Sequence, residues 1–160
     1  MQNTILRILR ENAKISHKEI AMRLDVSAKE VSAKIADMEK NGIIKGYQVI
    51  VDDSILPESQ VKAVISVNVM PQREGGFDII AKRLAQFPEV ASLYLVSGGC
   101  DLELEIQGES LQDVAAFVAA KLSTIEGVTS TTTHFILKKY KESGKLLEGN
   151  NEFKKLKISP

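Results

Sequence analysis

The residues between 16 and 42 have the types and the spacing needed to contact a nucleic acid. The tetrads Ser-His-Lys-Glu at 16–19 and Ser-Ala-Lys-Glu at 27–30 each place a glutamate three residues after a serine. In such a capping box the serine hydroxyl accepts from the third helical amide, and the glutamate accepts from the serine amide. Two short helices in close succession, the second with a polar outer face, predict a helix-turn-helix. The residues expected to face DNA are small, hydroxylated or basic: Ser16, His17, Lys18, Ser27, Ala28, Lys29, Ser32, Ala33 and Lys34.

The second of these helices has the features of a recognition helix. Val31, Ile35 and Met38 recur at helical spacing and form its apolar face, and Gly42 is expected to end it. Small outward residues allow a helix to lie deep in a major groove, where lysines contact phosphates or base edges. Capping boxes alone leave open an ordinary helical bundle with a solvated face. Residues 43–52 have the pattern of an apolar anchor, a turn and a strand, which favours a winged helix-turn-helix.

The charge distribution agrees with this interpretation. The whole chain has no net charge, but residues 1–50 hold nine Lys/Arg and six Asp/Glu, a net charge of +3. Residues 51–144 hold eight Lys/Arg and thirteen Asp/Glu, and residues 145–160 hold four Lys/Arg and two Asp/Glu. The basic end therefore coincides with the predicted DNA-binding domain. Because +3 implies few phosphate contacts for one chain, we predict that a dimer or a larger assembly binds DNA.

Other functions are disfavoured by what the sequence lacks. Its one cysteine, Cys100, permits neither an internal disulfide framework nor a multi-cysteine zinc site. No Ser/His/Asp set, metal-ligand spacing or phosphate-binding glycine loop occurs, so we predict no catalytic residue, no metal and no cofactor. No run of about 18 apolar residues and no leader peptide is present, which predicts a cytoplasmic protein.

The second half of the chain has a different periodicity. Alternating segments predict strands and 3.6-residue spacing predicts helices, in the order β-α-β-β-α-β. These segments are 62–70, 77–87, 92–97, 102–107, 114–125 and 129–138. The pattern predicts an α+β fold, with a winged helix-turn-helix followed by a ferredoxin-like domain. We predict a DNA-binding domain at 1–52, a linker at 53–61, the second domain at 62–140 and an extension at 141–160.

Both helices of the second domain must cover the same face of its sheet. The other face then combines apolar and polar side chains: Val64, Tyr94, Val96 and Ile136 among Lys62, Ser66, Glu103 and Glu105. A face of this kind is expected to pack against a partner chain. For the extension the sequence leaves two alternatives, an added edge strand or a mobile tail.

Short motifs in both halves resemble the Lrp/AsnC family, the feast/famine regulators of bacteria and archaea, over residues 4–139. In the first half they are Asn-Ala-Lys-Ile-Ser-His-Lys-Glu-Ile-Ala at 12–21, Val-Ser at 26–27, Val31, Lys-Ile at 34–35, Met-Glu at 38–39 and Asn-Gly-Ile-Ile-Lys-Gly-Tyr at 41–47. In the second they are Phe-Pro-Glu-Val at 87–90, Ser-Gly-Gly-Cys-Asp at 97–101, Glu-Gly-Val at 126–128, Thr131, Thr133 and Leu137.

The resemblance implies a DNA-binding domain joined to an effector domain that dimerises through its sheets and assembles further, into tetramers or octamers. It also implies an amino acid bound between dimers, near Ser97, Gly98, Gly99, Cys100, Asp101, Thr131 and Thr133. Glycine amides suit a ligand carboxylate, and Asp101 suits an α-amino group. The alternative is that the glycines only form a tight hairpin which Asp101 caps.

The sequence departs from the family pattern at several positions. Lys14 and Lys34 stand where arginine is common, and a lysine lacks the bidentate fork, so base discrimination at Lys34 is expected to be looser. Cys100 stands where an aromatic residue is frequent, which puts the family's effector preferences in doubt. Two other functions remain open: an enzyme similar to the sirohaem decarboxylases, which share this architecture, and an effector-binding module that has lost DNA contact.

Overall fold

The computed structural model describes residues 1–51, 60–71 and 75–147. The chain divides into two compact units, Met1–Val49 and Ile50–Pro160. Most of the predicted linker, residues 53–59, lies outside the described residues, and so do residues 148–160 of the predicted extension. The domain limits given above therefore stay predictions.

Three helices form the first unit: α1 (Gln2–Glu11), α2 (His17–Leu24) and α3 (Ala28–Lys40). Each helix turns an apolar stripe inward, because burying that stripe removes hydrocarbon surface from water. The buried side chains are Ile5, Ile8, Ile15, Ile20, Ala21, Val31, Ile35 and Met38. The predicted apolar face of α3 and the helix-turn-helix are thus confirmed.

Two residues with positive φ set the limits of α3. Asp25 has φ 52° in the turn between α2 and α3, a conformation that its short polar side chain tolerates. Gly42 has φ 66° just after α3, as predicted. Its N–H donates to the Glu39 carbonyl at 3.0 Å and the Ile43 N–H donates to the Met38 carbonyl at 2.8 Å. This pair of bonds is the Schellman motif, which satisfies two carbonyls left free at the helix end.

The prediction of a strand after α3 is wrong for the described part of this segment. Residues 46–51 have no regular secondary structure. A strand needs a partner to satisfy its backbone groups, and the first unit, to which residues 46–49 belong, contains no strand. Instead, the Tyr47 hydroxyl donates to Glu39 Oε1 at 2.9 Å and holds the segment against α3. Desolvation and this carboxylate together raise the pKa of Tyr47.

The second unit has the predicted β-α-β-β-α-β order. Its elements are β1 (Val61–Val69), α4 (Asp78–Leu84), β2 (Val90–Leu95), β3 (Leu102–Gly108), α5 (Leu111–Phe117) and β4 (Val128–Phe135). The π-helix Val118–Leu122 continues α5 without a break. The strands form one antiparallel sheet in the order β2-β3-β1-β4, which confirms the ferredoxin-like fold.

One face of this sheet carries the core. Alternate residues of β1 and β3 are buried there against α4 and α5, since successive side chains of a strand point to opposite faces. The buried set is Ala63, Ile65, Val67, Val69, Ile80, Leu84, Leu102, Leu104, Ile106, Val114, Phe117, Leu122 and Ile125.

The opposite face holds the side chains predicted for it. Val64 lies between Glu105 and His134, and Tyr94 lies opposite Glu103. Tyr94 is 47% exposed, and the residue that it pairs with on β3 is charged. The covering of this face by a partner chain stays a prediction.

The described part of the C-terminal extension is a short hairpin. Strands β5 (Lys141–Glu142) and β6 (Lys145–Leu146) pair with each other through a turn in which Ser143 and Gly144 have positive φ. They form a separate two-stranded sheet, so the described residues add no edge strand to the main sheet.

Replacing Gly42 by Ala should destabilise the first unit by about 1–2 kcal/mol, because an L-residue at this φ brings its Cβ close to the backbone. Urea unfolding monitored by helical circular dichroism measures the loss. Gly46→Ala is the matched control, since its added Cβ meets no atom within 4 Å and its φ is not in the left-handed region. Equal stabilities for the two variants would contradict the assigned helix end.

Candidate DNA-binding and effector-binding sites

The start of α3 is fixed by a complete capping box. The Ser27 hydroxyl oxygen accepts from the Glu30 N–H at 3.2 Å, and Glu30 Oε2 accepts from the Ser27 N–H at 2.9 Å. The Ser27 hydroxyl also donates to Glu30 Oε2 at 2.7 Å. This hydroxyl bond and the backbone bond together lower the pKa of Glu30. The first turn of α3 is therefore held by the side chains of its own cap.

The capping box predicted at α2 forms only in part. The Ser16 hydroxyl accepts from the Glu19 N–H at 3.2 Å, as expected. Glu19 does not complete the box, because its Oε1 accepts from Arg23 Nη2 at 2.9 Å, one turn further along the helix. An oppositely charged residue at i+4 competes with the cap for the glutamate.

Most of the predicted DNA-contacting residues lie on the surface of the first unit. Exposed are Ser16, His17, Lys18, Ser27, Lys29, Ser32 and Ala33. Lys34 is half-buried, with 33% of its side chain exposed. Ala28 is half-buried and packs against the core, because it lies three residues before Val31 on the same stripe of the helix, so it does not point fully outward as expected; its contact with DNA stays a prediction.

The cations of this surface differ in their partners. Lys34 Nζ lies 3.4 Å from Asp37 Oδ2, and Asp37 Oδ1 accepts from Asn41 Nδ2 at 2.9 Å. Lys18 and Lys29 form no ion pair with any residue that the structure describes. An exposed ion pair contributes little to stability, so the Lys34 ammonium can exchange Asp37 for a phosphate at small cost.

A second group of predicted site residues forms the turn between β2 and β3, here called the glycine turn (residues 97–101). The Val96 N–H donates to the Asp101 carbonyl at 3.0 Å and closes this turn. The Asp101 N–H donates to the Val67 carbonyl at 3.1 Å, and Asp101 Oδ2 accepts from the Val69 N–H at 2.9 Å. Asp101 therefore ties the start of β3 to the end of β1 through its backbone and its carboxylate.

The glycines of the glycine turn border open space. Gly98 and Gly99 are exposed, and a Cβ added to either would meet no atom within 4 Å. Ser97 is exposed beside them, and Cys100 is half-buried. The φ of 155° accounts for glycine at position 98, whereas neither packing nor a positive φ within the described chain accounts for glycine at position 99.

The two threonines predicted for the same site lie across β1 from the glycine turn. Thr131 pairs with Val67 and Thr133 pairs with Ile65, and both are half-buried. Val67 bonds Asp101 on one side and pairs with Thr131 on the other. Asp101 and Thr131 are therefore about 10 Å apart, which is two strand spacings. The fold thus brings Thr131 and the glycine turn to one end of the sheet, on both sides of β1, and places Thr133 nearer the middle of the sheet.

Sequence reasoning missed a polar contact at this end of the sheet. Asn68 Nδ2 donates to the Ser130 hydroxyl at 2.9 Å on the face away from the helices. The register that pairs Asn68 with Ser130 joins residues 62 positions apart, and no local pattern gives it.

Within residues 1–51, 60–71 and 75–147, no group of three His, Cys, Asp or Glu side chains is placed to hold a metal ion. No helix in those same ranges is long and apolar enough to cross a membrane.

The two units match two known families of domains. Residues 2–45 match the winged helix-turn-helix DNA-binding family, and residues 62–146 match the Lrp/AsnC ligand binding domain. Together these matches span most of the chain and follow its division into two units.

Full-length relatives share both domains. The chain is 43% identical over 160 residues to the uncharacterised HTH-type transcriptional regulator YugG of Bacillus subtilis, covering 99% of this chain and 96% of YugG. It is 29% identical over 139 residues to the leucine-responsive regulatory protein of Rhizobium meliloti, covering 87% of this chain and 88% of that protein. The solved structure of E. coli AsnC has the same fold, with a TM-score of 0.62 and 22% identity. The match covers 86% of this chain and 91% of AsnC.

Replacing Ser27 by Ala should lower the stability of the first unit by about 1 kcal/mol, because the Glu30 amide loses its acceptor. Urea unfolding at neutral pH measures this loss. Ser32→Ala is the matched control on the same helix, and we expect it to leave stability within about 0.5 kcal/mol of the wild type. A Ser27→Ala variant as stable as the control would contradict the assigned cap.

The stability that the Ser27–Glu30 capping box contributes should depend on pH. Because the folded state lowers the pKa of Glu30, its ionised form adds stability above the ordinary glutamate pKa, and this stability is lost as pH falls through the folded-state value. We therefore expect the stability difference between wild type and Glu30→Gln to shrink on acidification. Unfolding midpoints over a pH series measure it, and a difference that grows in acid would contradict the assigned bonds.

Proposed function

Because the chain belongs to the Lrp/AsnC family of transcriptional regulators, we propose that it reads duplex DNA with α3 and responds to an amino acid bound at the glycine turn. It is a DNA-binding regulator and not an enzyme, as its named relatives are transcriptional regulators. The sirohaem-decarboxylase alternative therefore has no support from them. The match of residues 2–45 to a DNA-binding family argues equally against a module without DNA contact.

The observation that carries the DNA proposal is the division of α3 into two faces. Val31, Ile35 and Met38 are fixed in the core, so the exposed side of α3 presents Lys29, Ser32 and Ala33. Small side chains there permit close approach to base edges, and Lys29 is available to a phosphate. Ser16 and Ser27 use their hydroxyls in the caps, so their contribution to DNA binding is chiefly to position the helix starts.

The modest net charge of one DNA-binding unit is the reason for proposing that several chains bind DNA together. Two copies of α3, one helical turn of DNA apart, would double the number of phosphate contacts and require a palindromic site. The open sheet face with Val64, Tyr94, Val96 and Ile136 supplies the surface for a homodimer in this proposal. Further association into tetramers or octamers would bring the ends of neighbouring sheets together and create the effector site between dimers.

The effector proposal depends on the chemistry of the glycine turn. The amides of Gly98 and Gly99 can donate to a ligand carboxylate, since the space beside them is open. Asp101 commits one oxygen to the Val69 N–H, and a carboxylate retains further lone pairs for an α-amino group. Thr131 and Thr133 add hydroxyls across β1, and Ser97 and Cys100 flank the glycines. A leucine-responsive relative and the match to a ligand binding domain support an amino acid as the ligand class.

Replacing Lys29 by Ala should weaken DNA binding and lower the slope of log K against log salt by about one per chain, because one phosphate contact is lost. Fluorescence anisotropy with a promoter fragment over a salt series measures both quantities. Lys40→Ala, at the opposite end of the same helix, is the matched control and should keep the wild-type slope. An unchanged slope for Lys29→Ala would remove Lys29 from the interface.

Replacing Gly99 by Ala should abolish stabilisation by the effector and leave the fold intact, since the new methyl enters open space where the ligand would approach. Thermal-shift screening against the twenty amino acids first identifies the ligand on the wild type, because a ligand that binds the folded form raises its stability. Gly46→Ala is the control in equally open space. A Gly99→Ala variant that keeps the full ligand-induced shift would place the effector elsewhere.

A further inference from the structure

Two lysines of α3 that the proposed function offers to DNA have different surroundings. Lys29 lies in the first turn, with Ser32 and Ala33 one turn later, and it forms no ion pair with any residue that the structure describes. Lys34 lies in the middle of the helix and meets a carboxylate one turn later, that of Asp37. The two ammonium groups are therefore not equally available to a phosphate.

The stem of Lys34 limits where its ammonium can lie. Lys34 comes three residues after Val31 and four before Met38, so it borders the buried stripe of α3. Only 33% of its side chain is exposed, as for a lysine whose stem lies along apolar surface while its charged end reaches water. The ammonium is held near the helix surface, where its Nζ lies 3.4 Å from Asp37 Oδ2.

Asp37 is itself bound from its other side. Its Oδ1 accepts from Asn41 Nδ2 at 2.9 Å, and the Asn41 N–H donates to the Asp37 carbonyl at 2.9 Å. Asn41 is the residue that ends α3. The Asp37 carboxylate thus has one oxygen bound to the end of the helix and the other beside Lys34.

We infer that Asp37 is a positioning residue that lowers the contribution of Lys34 to DNA binding. The inference rests on the DNA-binding function proposed above. A phosphate that takes the Lys34 ammonium must displace Asp37 Oδ2, and it leaves that carboxylate without its cation close to the same phosphate. Lys29 has no such partner to displace. The cost at Lys34 is modest, because the Asp37 side chain is 51% exposed and water screens the pair.

The effect of Asp37 should not depend on the DNA sequence. A lysine is a point charge without the planar fork of arginine, so the released Lys34 ammonium is assigned to a phosphate. Phosphate contacts fix the position of a protein on the duplex and carry no sequence information. Asp37 therefore sets affinity for duplex DNA in general, and the identity of the bases leaves its effect unchanged.

Replacing Asp37 by Asn removes the charge and keeps a side-chain oxygen for Asn41 to bind. We expect this variant to bind a promoter fragment about two- to fivefold more tightly than the wild type, which is the range that exposed ion pairs span. An unrelated duplex of the same length should gain by the same factor. Fluorescence anisotropy of the full chain at one salt concentration measures both affinities.

A double-mutant cycle with Lys34 separates this role from a general change of charge. Glu11→Gln is the matched control, since it makes the same change in net charge at an exposed residue of α1 and should bind nearly as the wild type does. In a Lys34→Ala background, Asp37→Asn should gain no more than this control, because the cation that it releases is gone. Asp37→Ala should show the same gain as Asp37→Asn, and urea unfolding checks that both variants fold.

The outcomes distinguish this inference from the proposed function. DNA binding by the wild type that ignores salt would overturn both, because no phosphate contact would then carry either one. If the wild type binds and Lys29→Ala weakens it, an Asp37→Asn affinity equal to that of Glu11→Gln would overturn this inference alone. A gain that persists in full without Lys34, or one confined to the promoter fragment, would do the same.

Discussion

The burial of one stripe on α3 is the interaction on which the DNA-binding unit depends. Val31 and Met38 are fully buried and Ile35 nearly so, and each such side chain stabilises the fold by about 1.5–3 kcal/mol relative to exposure. A rotation of α3 about its axis would expose this stripe to water. The outward direction of Lys29, Ser32 and Ala33 is therefore a consequence of core packing, with the Ser27 cap and the Gly42 turn fixing where the helix begins and ends.

The same constraint governs the sheet of the second unit. Burial of Ile65, Val67 and Leu104 against α4 and α5 leaves the alternate residues on the open face, where Tyr94 stands beside Glu103. Apolar atoms on that face remain in contact with water in one chain, which is the physical reason for proposing a partner there. The ends of the strands are a third kind of surface, because backbone groups at a strand end need partners that the ladder no longer supplies.

A carboxylate meets that need at one end of the sheet, and a carboxylate at the other end is held by a side chain. At one end Asp101 accepts from the Val69 N–H, so its position is set by backbone hydrogen bonds to β1. At the other end Glu89 is set by Lys121, and one of its oxygens is left without a donor among the described residues. Asp101 is therefore fixed before any effector binds, so binding at the proposed site would cost that side chain little conformational entropy.

The sequence by itself determined the elements and their order, because periodicity and capping are local properties. The spacing of Val31, Ile35 and Met38, the serine caps and Gly42 predicted α3, and alternation predicted the strands of the second unit. Local patterns failed where two partners compete or where a partner is distant. Glu19 pairs with Arg23 and does not complete its capping box, and residues 46–49 form no strand because the first unit contains no strand to pair with. Only the tertiary structure decided that Thr131 lies across β1 from Asp101 and that Glu89 meets Lys121, since each pairing joins residues about thirty positions apart through the sheet register and helix packing.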